Sequence, residues 1–163
     1  MTTLLIYEDF EGATRSKAIL ERVIGSALAN ELWDLKLWRR DILELSAAAA
    51  EALKESLNVE LMVLALNGIQ PPTKSLLEWL GMWARNRVVQ EAALVIIREE
   101  HVAEGVIEAR LELARFAANH DLGLLCNEGD TGKAELLSAV SVAQASARRV
   151  IHTRPRLGWG INE

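Results

Sequence analysis

Two adjacent acids, Glu8 and Asp9, end the apolar run Leu4-Leu5-Ile6-Tyr7. An unbroken apolar run of that length reads as a buried parallel strand rather than a half-exposed one. Open α/β sheets collect their ligands at the carboxyl ends of such strands. The two carboxylates therefore stand where a site is expected, and they suit cation coordination or acid–base work. A hard divalent cation prefers more oxygen ligands than two neighbouring acids supply, so only a weakly held ion is expected at Glu8 and Asp9.

Other residues invite chemical readings and carry less. Gly129-Asp-Thr-Gly132-Lys133 has two residues between its glycines and Ala134 after the lysine. A phosphate loop needs four residues between the glycines and a hydroxyl residue after the lysine. A turn into the following helix is the better account. His101 and Glu104, preceded by Glu99 and Glu100, resemble a solvated acidic helix start more than a metal pair. Cys126 is the single cysteine. It excludes an internal disulfide, and with no base beside it in sequence it reads as a small buried hydrophobe.

Trp79 and Trp83 are four residues apart and share a helix face, so they serve either a core or, if exposed, a partner. The segment after Val150 holds Arg154, Arg156 and Trp159. Arginines with an aromatic can bind nucleic acid. In a chain of net charge -5 they are read instead as contacts to protein, on a partner subunit or on this one.

The elements that must position these residues alternate. Strand-like apolar runs occur at 4–7, 31–39, 58–66, 92–97 and 122–126. Helical patterns lie between them: Thr14 to Leu28 with Thr14 as a cap, a stretch from Ser46, Thr73 to Asn86, and Glu104 to Asn119. Another runs from Gly132 to about Val150. Gly12 is read as part of a loop between the first strand and its helix. Alternation of this kind predicts a three-layer α/β domain around a five-stranded parallel sheet. One domain over 1–150 and an extension over 151–163 are expected. The chain has 163 residues, 50% hydrophobic and 25% charged, which is enough for one sizeable core. No apolar run approaches the ~20 residues of a membrane helix, and the start MTTLLIYEDF has no targeting pattern. A cytoplasmic protein without a membrane role is expected.

With this order in place, the chain resembles the receiver domain of bacterial response regulators. LLIYEDFEGATRSKAILERVI looks like that family's first strand, acidic pair and first helix. AAAAEALKESLNVELMVLAL looks like its second helix and third strand, and RFAANHDLGLLCNEG like its fourth helix and fifth strand. The resemblance implies the CheY-like, flavodoxin-like strand order 2-1-3-4-5. It also implies where phosphotransfer groups should stand. The acceptor aspartate falls on Ala65, or on Asn67 if the register slips by two. The hydroxyl residue falls near Ile97 or Arg98, and the lysine near Asn127. None of these is the required residue type, since acyl-phosphate formation needs a carboxylate nucleophile. The expectation is therefore a non-catalytic pseudo-receiver, without a cofactor, that acts in signalling through protein contacts and as a homodimer. The alternative is a small α/β enzyme or nucleotide-binding protein using Glu8 and Asp9.

Overall fold

The computed structural model describes residues 1–27, 32–66, 72–98 and 106–127. In chain order these form β1 (Thr2–Tyr7), α1 (Phe10–Ala27), β2 (Asp34–Arg39) and a short 3-10 turn (Arg40–Glu44). Then come α2 (Ser46–Ser56), β3 (Leu61–Leu66), α3 (Lys74–Asn86), β4 (Ala93–Arg98), α4 (Val106–Asn119) and β5 (Gly123–Asn127). The expected helix from Gly132, the domain boundary near 150 and the tail lie outside the described residues.

All four strand pairings are parallel and the order is β2-β1-β3-β4-β5. The expected 2-1-3-4-5 sheet is thus present. Its logic is visible in the side chains. Every residue of central β3, LMVLAL, is buried, whereas edge strand β2, DLKLWR, alternates between exposed and half-buried positions. A strand covered on both faces must be apolar throughout, and an edge strand need not be.

The pleat sends alternate residues to two cores. Leu4 and Ile6 of β1, Met62, Leu64 and Leu66 of β3, and Leu94 and Ile96 of β4 join a cluster with residues of α2, α3 and α4. Leu5, Leu61, Val63, Val95 and Ile97 join α1 through Leu20, Val23 and Ile24 on the other face. That places α1 on one side of the sheet and α2, α3 and α4 on the other. Each fully buried large apolar side chain contributes about 1.5–3 kcal/mol relative to exposure.

The start of α1 departs from the sequence expectation. The helix begins at Phe10, four residues before Thr14, and Gly12 is buried inside its first turn rather than in a loop. The reason is Asp9, whose Oδ1 accepts from the Gly12 amide at 2.7 Å and satisfies a donor that the helix leaves open. Thr14 is an interior residue, and its hydroxyl donates back to the Phe10 carbonyl at 2.9 Å. Helix α2 begins at Ser46 itself, with Leu45 in the cap position after the 3-10 turn and no side-chain cap. Thr73 does cap α3, its Oγ1 accepting from the Leu76 amide at 3.4 Å.

Trp79 and Trp83 are core residues. They are 2% and 0% exposed, so neither offers a partner surface. Their indole Nε1 groups donate to the carbonyls of Ala49 (3.0 Å) and Ser56 (3.1 Å), which fastens α3 to α2. No helix among the described residues is long and apolar enough to cross a membrane.

Candidate functional site

Parallel pairing brings all five strand ends to one edge. In register across the sheet, Arg39, Tyr7, Ala65, Ile97 and Asn127 form a single row, and Tyr7, Ala65 and Ile97 lie on the face that α1 covers. The chain passes from β1 outward to β2 on one side, and from β3 outward to β4 and β5 on the other. The point where that direction reverses, between Tyr7 and Ala65, is the crevice in which open α/β sheets take ligands.

Glu8 and Asp9 leave this crevice in different directions. Glu8 Oε1 accepts from Arg40 Nη1, an ion pair between half-buried groups. Asp9 turns to the amide of Gly12. A cation at this acidic pair would compete with these two partners for the carboxylate oxygens. Among the described residues no three His, Cys, Asp or Glu side chains gather into a metal cluster.

Beside the acids stands Phe10, the first residue of α1. It is 82% exposed, an unusual state for a phenylalanine at the turn directly after a strand end. Tyr7 is half-buried one step back along β1, next to Arg39 in register. Arg39 is itself held by Asp41, with Nε to Oδ1 at 2.6 Å and Nη2 to Oδ2 at 2.8 Å. This forked hydrogen bond raises the arginine above its ordinary pKa and lowers that of the Asp41 carboxyl, the hydrogen bond being the leading cause for both. The ends of β1 and β2 and the residues directly after them thus carry two aromatic rings, two guanidinium groups and three carboxylates. Their polar members are largely paired among themselves.

The remaining predicted residues fall as follows. Ala65 is buried at 2% exposure, beside Tyr7, and supplies no nucleophile. Arg98 ends β4 opposite Leu66 and is half-buried. Asn127 ends β5 opposite Ile97. Cys126 is half-buried and packs against the larger core. Asn67, His101, Glu104, the Gly129–Lys133 stretch, Arg154, Arg156 and Trp159 lie outside the described residues.

Sequence reading passed over Phe10, Arg39 and Arg40 as site residues. The signal available for Phe10 was an apolar residue directly after two acids. A helix capped at Thr14 would leave Phe10 in a loop, whereas α1 begins at Phe10 itself. For Arg40 the signal was a second arginine at a strand end, but only the fold brings it to Glu8, thirty-two residues away.

No family model matches the chain, and no curated protein matches it. Solved structures do. The chain is similar to rubredoxin oxygen:oxidoreductase from Desulfovibrio gigas, at TM-score 0.52 and 9% identity, over 91% of this chain and 36% of that one. It is similar to an oxidoreductase from Corynebacterium diphtheriae, at TM-score 0.50 and 12% identity, over 95% and 99% of the two chains. A flavodoxin-like domain from Synechococcus gives TM-score 0.48 and 14% identity, over 90% and 99%.

These likenesses correct the receiver reading. The strand order is the flavodoxin-like 2-1-3-4-5, and the two solved structures at TM-score 0.50 and 0.52 are oxidoreductases rather than receivers. The expectations drawn from the receiver resemblance fall with it: a signalling role, a non-enzymatic module and the lack of a cofactor. Physically, the resemblance rested on strand order and on the acidic pair. The strand order is common to both families. The acidic pair serves an ion pair and a helix cap rather than a phosphotransfer site.

Proposed function

We propose that this chain is a small flavodoxin-like protein of the oxidoreductase class that holds a planar, flavin-type ring at the carboxyl edge of β1 and β3. The observation that carries the reading is Phe10, a ring left 82% exposed at the start of α1, three residues after Tyr7 ends β1 opposite Ala65. An aromatic side chain in solvent gives up the stabilisation of burial, and stacking against a ligand ring recovers it. The likeness to the two oxidoreductase structures supports the same class. The reading takes up the alternative of a small α/β enzyme, with the aromatics rather than the acids as the ligand contacts.

Riboflavin and flavin mononucleotide serve as probes. Binding is expected to quench flavin fluorescence and to raise the melting temperature, as any ligand selective for the folded state does. Phe10→Ser is expected to weaken binding about tenfold, the loss of roughly 1.4 kcal/mol of stacking. The stability of that variant should stay within about 0.5 kcal/mol of wild type, because the side chain is exposed. Absence of quenching and of thermal stabilisation by both flavins at millimolar concentration would refute the reading.

A further inference from the structure

We infer that the turn after β1 is closed to phosphate, so that this edge takes its ring ligand without seating a phosphoryl group on α1. The inference rests on the proposed ring site and specifies its ligand. In sheets of this strand order the phosphate of a bound nucleotide settles at the reversal point, against the free amides that open the following helix. Here the Gly12 amide, the last of the three that open α1, is already served from within the chain by the Asp9 carboxylate. The Gly12 amide donates to Asp9 Oδ1 at 2.7 Å, which sets a carboxylate over the helix start, and the regular intrahelical bonds begin with the Ala13 amide donating to the Asp9 carbonyl at 3.0 Å.

The charge of the turn points the same way. Glu8, Asp9 and Glu11 place three carboxylates within four residues. The nearby arginines are engaged: Arg40 pairs with Glu8, and Arg15 reaches Glu11 Oε1 at 3.4 Å. An incoming phosphate would have to displace the Asp9 carboxylate from the helix start and then lie beside it, against like-charge repulsion. Asp9 thus occupies the anion position of the fold, and a phosphorylated flavin does not fit this turn. The chemistry left for the edge is that of an uncharged planar ring against Phe10 and Tyr7.

The test compares riboflavin with flavin mononucleotide by fluorescence quenching, and follows inorganic phosphate by the amide resonances of Phe10, Glu11 and Gly12. Wild-type protein is expected to bind the phosphorylated flavin no more tightly than riboflavin, and millimolar phosphate should leave the Gly12 amide unmoved. Asp9→Gly frees the Gly12 amide and removes the charge. It should gain a saturable phosphate shift at Gly12 and move the affinity ratio toward the phosphorylated flavin by at least tenfold. Asp9→Asn keeps the cap, so it folds even if Asp9→Gly does not, and should show a smaller gain of the same sign. Wild-type protein that binds the phosphorylated flavin tenfold more tightly, with the Gly12 amide shifting, would overturn the inference. If neither flavin binds, the ring reading fails, and the phosphate titrations of wild type and variants still decide the turn.

Discussion

The indole Nε1 of Trp83 donates to the backbone carbonyl of Ser56 at 3.1 Å, from the last turns of α3 to the last residue of α2. One turn earlier on α3, Trp79 makes the equivalent bond to Ala49 at 3.0 Å. Two helices that follow different strands are joined on one face of the sheet by donors that emerge from apolar rings. Trp33 and Trp38 do the same elsewhere, donating to Thr3 Oγ1 and Glu55 Oε2, each at 3.0 Å. Each of these large rings is packed as a hydrophobe with its single polar atom satisfied, as burial of a tryptophan requires.

Replacing Trp83 with phenylalanine tests this fastening. The substitution removes the donor and opens a small cavity, while the Ser56 carbonyl keeps the Val59 amide, at 3.0 Å, as a partner. A loss of about 1–3 kcal/mol is expected from the lost bond and the cavity together. Urea unfolding measures it, and an unchanged midpoint with unchanged slope would show that the indole bond contributes nothing.

A pH dependence should come from His120. Burial, and then the nearby charges of Arg85 and Arg87, hold its imidazole below the ordinary value of 6.5. Its ring lies 4.5 Å from that of Phe116. The folded state therefore favours neutral histidine, and between the folded and unfolded pKa values the unfolded chain binds more protons. Stability from this group is complete above about pH 6.5 and declines as pH falls toward the folded value. Thermal melts from pH 5 to 8 should show this slope in wild type and a flatter profile in His120→Gln. Identical profiles would remove the assignment.

The Glu8–Arg40 pair joins the end of β1 to the turn after β2, with both side chains less than one-third exposed. Such a pair is worth more than a surface contact and less than a buried one. A double-mutant cycle with Glu8→Gln and Arg40→Gln should give a coupling of about 1 kcal/mol. A coupling near zero would mean that the pair adds nothing to the positioning of this edge.

How much of this was legible in advance follows from what sequence patterns encode. β3 could be read directly, because a strand buried on both faces must be apolar at every position, and LMVLAL is. The order of strands followed from alternation together with a resemblance, and it survived the failure of that resemblance because receivers and flavodoxin-like proteins share it. The acidic pair was legible as a feature of the ligand edge but not in its role. Glu8 depends on an arginine far away in sequence, and Asp9 on where α1 begins. Trp79 and Trp83 announced a shared face, but nothing in their spacing said that the carbonyls of Ala49 and Ser56 would be waiting for them.

The start of α1 offers the last test, because sequence and structure name different caps. If Thr14 capped the helix, Thr14→Ala would cost about 1 kcal/mol and Asp9→Ala little. The structure reverses this. Asp9 Oδ1 holds the Gly12 amide, whereas the Thr14 hydroxyl bonds back to Phe10 from inside the helix, an arrangement that adds little stability. Asp9→Ala should therefore cost about 1 kcal/mol, and Asp9→Asn only a few tenths because the amide oxygen still accepts. Thr14→Ala should be neutral or slightly stabilising, since alanine has the higher helix propensity. Three urea titrations against wild type suffice. A larger loss for Thr14→Ala than for Asp9→Ala would move the helix start back to Thr14, and the closed phosphate seat at Asp9 would go with it.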